Sequence, residues 1–558
     1  MAPARARANL GDMAHIIEKL RPENADGYSR LFLDFAADPS KGLPPYIGGI
    51  SGDPALWGAA AERSDAARAA GDPATWGAVV DEIASLGERL GTRAEVLGKV
   101  RRAKGGGTLF VVTGQQPGVF GGPLLTAYKV LTAVALARRL EALTSRAVVP
   151  LYWCGSDDTD FAEIRGFSIF TKDSTLISAS IPQQAHAVGH PTGGISADWL
   201  HGIWTNLENF FGEFDRGSFT ADLVERAFAV ARDHGEHASA VLVGLTGGEI
   251  AVVDGRSPAV KRHAQGWIRR YIAEEDAVKR EITEGGRRLA ASGYHAQLAV
   301  GEDSGVFLLE NGKRKNVTPD LRGALAEAAA SAVEKCSPGV IARNLVQDGV
   351  FTPVAVVLGP AEIAYRCQMS AVYGRFGVPS PVPVPRLMAT FLPPELAALV
   401  DAASGATVES LLADPAGFAR GVFERSVDPD LLRAAQEFEK DVAGALDRFS
   451  GSVEDAVPAK TASRIKAKLG DLRNRAGLSA ASVSEAGKAA ALERCGFLSD
   501  LASIVRPYGK PQERTVSSLA PLLFGGEGMR SDLVAAASSY VDDLLDGRTR
   551  HIVYSCVK

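Results

Sequence analysis

Two short stretches of this chain combine residue types that do chemistry. The first is "FVVTGQQPGVFGGPLLTAYKV", residues 110–130. An apolar run ends in Gly114, Gln115 and Gln116, then a turn rich in glycine and proline, with Gly118 and Gly122, leads into an apolar helix. Glycines permit backbone conformations closed to other residues and let a ligand approach closely. A helix starting near Pro123 would aim its free N–H groups and positive dipole end at the same place. Two uncharged amides would orient whatever lies there. The combination suits a phosphate or a carboxylate. It is neither a Walker loop nor GxGxxG, so the motif leaves open which of the two.

The second stretch is "CGSDDTDFAEI", residues 154–164, where Asp157, Asp158 and Asp160 place three carboxylates within four positions. Such crowding costs electrostatic free energy unless cations lie among the carboxylates. Three explanations compete. The carboxylates could hold magnesium, grip the amine of an amino-acid or amino-sugar substrate, or be solvated loop residues. Together the two loops form a plus-and-minus pair, suited to an amine nucleophile meeting a carboxyl electrophile.

The elements that must position these loops follow from periodicity. "GGGTLFVVTG" and "AVVPLYW" read as buried strands on either side of an amphipathic helix with Leu124, Leu125, Tyr128, Leu131 and Leu136 on its core face. That is a βαβ unit of a mostly parallel sheet, and ligands of such sheets bind beyond the carboxyl ends of the strands. The pattern recurs at 351–386, "FTPVAVVLGPAEIAYRCQMSAVYGRFGVPSPVPVPR". The stretch between differs, with Gly-punctuated strands ("LVGLTGGEIAVVDG", "AQLAVGEDSGVFLLENGKRK") and one charged helix after Ser257.

Four regions are expected: 1–164, N-terminal helices and the first half of a Rossmann-like α/β core; 165–345, an insertion; 346–428, the second half of the core; and 429–558, a helical coiled-coil region. In the last, Leu431, Ala435, Phe438, Val442, Leu446 and Phe449 recur at 3–4 residue spacing, and Ile465, Leu469 and Leu472 lie on a partner helix beyond Pro458. Such a pair suits either self-association or a helical pair packed on its own core.

Composition excludes several classes. At 558 residues the chain exceeds one ordinary core. A net charge of −5 and no dense basic run argue against a nucleic-acid partner. No apolar run is long enough to span a membrane, and the first residues lack the apolar core and cleavage site of a secretory signal. A cytoplasmic protein is expected. The five cysteines, Cys154, Cys336, Cys367, Cys495 and Cys556, are scattered and show no CxxC spacing, so neither disulfides nor a structural zinc site is expected.

"TGQQPGVFGGPLLTAYK" followed by "VPLYWCGSDDTDFAEI" resembles the bacillithiol-pathway cysteine-adding enzymes, the BshC family. The resemblance continues through "VVDGRSPAVKR", "GYHAQL", "FLLENGKRK", "SPGVIARNLVQDGVFTPVAVVLGPAEIAY", "FGVPSPVPVPR" and "GKPQER", in the expected order. It implies a Rossmann-like core related to nucleotidyltransferases and class I aminoacyl-tRNA synthetases. It also implies a connecting-peptide-like insertion and a coiled-coil region that completes a homodimer. The implied reaction is a ligase step: the carboxyl of L-cysteine joins the amine of glucosaminyl-malate. From the fold, ATP or another adenine nucleotide with Mg2+ is the expected cofactor, although fold does not establish chemistry.

The resemblance makes Asp157, Asp158 and Asp160 the candidate catalytic carboxylates, with one departure. The family motif carries a histidine where this chain has Thr159, and Asp157 stands at a glutamate position. Histidine can act as a near-neutral acid or base and threonine cannot. Retained ligation, a different acceptor, and a non-catalytic metabolite-binding dimer therefore all stay open. His295 matches a family histidine. Arg343, Asn344 and Arg386 match landmarks near strand ends, and one arginine is the expected anchor for a malate-like or phosphate group. Arg386 could instead pair with the acidic cluster. Gly359 and Glu362 open the second helix, where Glu362 suits either the helix dipole or an amine. Lys129, nearly two turns into its helix, also suits a surface position. His186 and His190 lie among glycine and proline and carry little weight as a metal pair, and His234 and His237 look like loop residues.

Overall fold

A computed structural model describes residues 15–25, 27–214, 217–402, 407–426, 428–454, 456–494 and 501–556. The first residues of the chain and Cys495 lie outside these.

Five strands form one all-parallel sheet: β1 (Leu109–Gln115), β2 (Val148–Cys154), β3 (Ala251–Asp254), β4 (Ala355–Leu358) and β5 (Val382–Pro385), in the order β5-β4-β1-β2-β3. The chain runs outward from β1 through β2 to β3 and, later, outward the other way from β4 to β5. The order reverses between β1 and β4, which makes their carboxyl ends the switch point of this Rossmann-like fold. In register there, Thr113 pairs with Val357 and its hydroxyl donates to the Val357 carbonyl at 3.0 Å.

The helix after β1, α1 (Leu124–Thr144), is buried on every side from residue 124 to 137 rather than along one stripe. It lies under both β1 and β2 and against the helix Ala520–Leu545. Such all-round burial belongs to a helix in the middle of a large core. Two further helices serve the switch point, α2 (Val340–Phe351) before β4 and α3 (Pro360–Gln368) after it.

Two expected boundaries move. The segment 165–345 is not a separate body. Its strand β3, buried at Ala251, Val252 and Val253, extends the main sheet beside β2. "AQLAV" (296–300) forms no strand. The Gln368 side chain takes the place of a neighbouring strand: its Oε1 accepts from the Gln297 and Leu298 N–H groups, and its Nε2 donates to the Leu298 carbonyl. The charged stretch after Ser257 is three helices, Pro258–His263, Gln265–Ala273 and Glu275–Ala291.

The chain divides into two compact units, residues 1–397 with 506–558, and 398–505. The last fifty residues therefore do not belong to a C-terminal helical region. His551–Ser555 runs parallel to Met388–Phe391 and antiparallel to His15–Leu20, closing a small sheet. In the second unit, Pro429–Glu454 and Ala459–Arg494 form an antiparallel helical hairpin crossed by Lys466–Glu454 and Arg473–Asp447 ion pairs. Among the described residues no helix is long and apolar enough to cross a membrane.

Candidate functional site

A cleft of about 420 Å³ opens at the switch point. Gly114, Gln115 and Gln116 at the end of β1 form one wall, Asp157 and Asp158 after β2 a second, and Gly359 to Glu362 at the start of α3 a third. The first two are tied by the Gly155 N–H, which donates to the Gln115 carbonyl at 2.8 Å.

The glycine turn does not face the cleft beyond Gln116. Residues 117–122 are buried. Phe120, Gly121 and Gly122 all adopt positive φ (50°, 89° and 81°). A Cβ at Gly121 would meet Val241 at 2.9 Å, and one at Gly118 would come within 2.5 Å of Gly122 Cα. Gly118 and Gly122 thus let the turn fold onto itself. The first N–H of α1, at Leu124, is taken by the Val516 carbonyl at 2.7 Å. The Leu124 N–H at the expected anion seat is thus engaged by the chain's own backbone, while Leu125 of the same turn lines the cleft.

Lys129 is the main departure on this side. It is 2% exposed, and its ammonium donates to the Gly114 carbonyl (2.8 Å) and Gln115 Oε1 (3.0 Å) and pairs with Glu362 at 2.6 Å. Glu362 also accepts from the Gly359 N–H. Burial lowers the pKa of the Lys129 ammonium, partly offset by Glu362. Burial pushes the Glu362 carboxyl up, but the Lys129 ammonium outweighs this and holds it below its usual value. This ion pair joins α1 to α3 at the switch point, and the same ammonium's hydrogen bonds hold the end of β1. Glu362 is therefore matched by a lysine, and no sequence periodicity signalled that Lys129 turns inward.

The three aspartates separate. Asp157 is buried and accepts from the Ser337 hydroxyl at 2.8 Å. Gly255, in "VVDGR", leaves it room: a Cβ there would stand 2.8 Å from Asp157 Oδ1. Asp158 accepts from Arg314 (3.1 Å), Gln116 Nε2 (3.0 Å) and the Thr159 N–H (2.7 Å). Arg314 comes from the strand Lys313–Lys315, bonds Ser337 and the Pro338 carbonyl, and stacks with its guanidinium 3.9 Å from the Phe307 ring centre. A cycle Asp157–Ser337–Arg314–Asp158 results. Asp160 is exposed and outside the cleft, where it caps the short helix Phe161–Ile164 by accepting from the Glu163 N–H at 3.1 Å. That helix carries Glu163 into the lining, and Glu163 accepts from the same Gln116 Nε2 at 2.9 Å.

Thr159 does not line the cleft, and no histidine does among the described residues. His295 is exposed, with a 3.4 Å contact to Gln297. His234 and His237 are buried in the helix His234–Leu245 rather than in a loop, and burial lowers their pKa values to about 4 and about 3. His186 stacks on Phe161 and bonds the His190 carbonyl.

Of the expected anchors, Asn344 is buried away from the cleft, accepting from Arg366 and donating to the Val340 carbonyl. Arg386 lines the cleft, but its guanidinium is held by Glu513 (2.7 and 2.5 Å) and not by the acidic loop. Arg343 lines the cleft half-buried, with only a 3.4 Å contact to Gln347 and no ion pair among the described residues. Arg514, in "GKPQER", joins it as a second guanidinium without a carboxylate partner among the described residues. Arg514 and Glu163 lay inside motifs noted in the sequence but were not singled out.

Magnesium favours oxygen ligands in an octahedron, commonly one or two carboxylates with phosphates and water. The three aspartates do not converge, and no cluster of three His, Cys, Asp or Glu side chains able to hold a metal occurs among the described residues. Asp158, a single carboxylate on the cleft wall, fits a magnesium that arrives on a phosphate with its own oxygens and water. Cys154 offers no nucleophile, since burial raises its thiol pKa. Cys336 and Cys367 are buried free thiols.

Fold and cleft together define a Rossmann-like α/β protein with a charged cleft at its switch point. A family model described as "Bacillithiol biosynthesis BshC, N-terminal Rossmann-like domain" matches residues 61–387, and the chain belongs to the BshC family. Three similar relatives carry the provisional name cysteine ligase BshC. The protein of Solibacter usitatus is 33% identical over 53% of this chain and 57% of its own length. That of Heliobacterium modesticaldum is 29% identical over 56% and 60%, and that of Koribacter versatilis 28% identical over 81% and 86%. The match thus spans under two thirds of the first two relatives.

Proposed function

We propose that this protein is an amide-forming ligase that joins the carboxyl of L-cysteine to the amine of glucosaminyl-malate in the cytoplasm. One observation carries the reading. Arg343 and Arg514 reach the cleft without an ion pair among the described residues, and the same cleft is lined by Asp158 and Glu163. Guanidinium groups bind carboxylates and phosphates with two parallel hydrogen bonds, so the arginines suit the malate carboxylates or a nucleotide phosphate. The acidic wall suits the acceptor amine. Holding an amine against an activated carboxyl supplies much of the rate of such a step.

ATP fits as the activating group. Arg343 and Arg514 would hold its phosphates, and Asp158 would face the magnesium it brings. The adenine nucleotide would make the cysteine carboxyl a better electrophile. Homodimerisation through the helical hairpin completes the reading. One observation favours a second reading, ligation to a different amine or binding without turnover: no histidine lines the cleft among the described residues.

The test is incubation of the purified protein with L-cysteine and glucosaminyl-malate, with and without ATP and magnesium, followed by mass spectrometry. The condensed thiol is the expected product, formed only with ATP. Folded protein that binds the acceptor but yields no condensed thiol would rule the ligase reading out in favour of the second.

A further inference from the structure

Each aspartate of the acidic loop is already engaged. Asp157 is held by Ser337, Asp158 by Arg314, Gln116 and its neighbour's N–H, and Asp160 by the helix it caps. Glu163 differs. It is exposed, lines the cleft, has no ion pair among the described residues, and its carboxylate accepts from the neutral Gln116 amide. We infer that Glu163, set in place by Gln116 and by the Asp160 cap, is the carboxylate that receives the acceptor's ammonium group.

This rests on the amine-acceptor reading above and sharpens it. An ammonium approaching Asp158 would compete with Arg314, a guanidinium fixed by Ser337, the Pro338 carbonyl and the Phe307 ring. An ammonium approaching Glu163 displaces no cation. Gln116 donates to both carboxylates through one nitrogen, which holds Glu163 Oε2 beside Asp158 and leaves Oε1 without an ion pair among the described residues. Asp160 is a positioning residue. Its side chain satisfies the N–H of Glu163 itself and so fixes where that residue leaves the backbone.

Capping and charge can be separated, because asparagine caps a helix as well as aspartate does while carrying no charge. The experiment compares binding of glucosaminyl-malate with binding of the same compound acetylated on its amine, by calorimetry on the full chain. It uses the native protein and the variants Glu163→Gln, Asp160→Asn and Asp160→Ala, with thermal melts confirming that each folds. The native protein is expected to prefer the free amine by about tenfold or more, the usual size of a charge-assisted hydrogen bond. Glu163→Gln is expected to bring the two affinities within about twofold of each other, leaving the acetylated compound's affinity unchanged. Asp160→Asn keeps the preference, and Asp160→Ala weakens it.

A native protein without that preference, or a Glu163→Gln variant that retains it, overturns the inference. Equal losses in Asp160→Asn and Asp160→Ala overturn the positioning role of Asp160. Binding is read without turnover, so a protein that selects the amine through Glu163 yet makes no condensed thiol refutes the ligase reading and leaves the amine site standing.

Discussion

Arg386 and Glu513 meet in a buried, two-pronged ion pair (2.7 and 2.5 Å) across 127 residues of sequence. Arg386 follows β5 and Glu513 precedes Arg514, so the pair ties the returning C-terminal segment to the edge of the switch point. Arg514 reaches the cleft through that tie. Removing one partner of a buried pair leaves an uncompensated charge, at a cost of about 3–5 kcal/mol. Glu513→Gln is expected to destabilise the protein by about that amount, read as a shift of the denaturant midpoint at constant slope. A change below about 1 kcal/mol would show that the pair does not hold the segment.

Arg343 should behave in the opposite way. It makes one long contact and no ion pair among the described residues, so Arg343→Ala is expected to leave the melting temperature within a few degrees of native. Acceptor or nucleotide affinity should fall by about tenfold or more, because a charge-assisted anchor is lost. Titration of native and variant protein with each ligand would show which of them the anchor serves.

Position 159 lies outside the cleft lining, and its backbone N–H donates to the Asp158 carboxylate. Thr159→His is therefore expected to change turnover by no more than about twofold, the range of a substitution that disturbs no buried group. A gain of tenfold or more would place that side chain in the reaction.

Stability should fall on acidification above the ordinary carboxylate range. Burial lowers the pKa values of His234, His237 and His551 to about 4, about 3 and about 4. The unfolded chain takes up protons near the ordinary value of about 6.5, while the native state stays neutral. Between these values the unfolded state binds more protons, so stability rises with pH and is lost as pH falls from about 6.5 towards 4. The combined loss should reach several kcal/mol. Melting temperatures at pH 7, 6, 5 and 4.5 would show it, and His551→Gln should flatten the slope.

The helical hairpin exposes apolar side chains at the spacing read from the sequence: Leu431 36%, Phe438 48%, Phe449 54% and Leu472 50%. Only Ala435 of the first helix is buried within the pair. If this face carries the dimer, light scattering should give twice the monomer mass, and Phe438→Glu with Phe449→Glu should halve it. A native monomer at high micromolar concentration would remove the dimer from the proposal.

The parallel sheet, the two βα turns and their glycines were legible in the sequence because strand runs, turn residues and helix starts are local features. Gly114, Gln115, Gln116, Asp157, Asp158, Gly359 and Glu362 were named from such features, Arg343 and Arg386 from the family resemblance, and all line the cleft. What each side chain does there depends on distant segments. Arg314 and Ser337, over 150 residues beyond the aspartates they hold, commit Asp157 and Asp158. The Val516 carbonyl takes the Leu124 N–H at the helix start that local reasoning left open for an anion, and Glu513 claims Arg386. Lys129 turns inward because the β1 and α3 ends converge on it, and β3 joins the main sheet because its buried face has nowhere else to pack. Sequence by itself determined which residues stand at the ends of the strands. Tertiary packing decided which of their charges are spent on one another and which, at Arg343, Arg514 and Glu163, remain open to a ligand, because a charge is neutralised by whatever the fold brings within a few ångströms, however far away it lies in the chain.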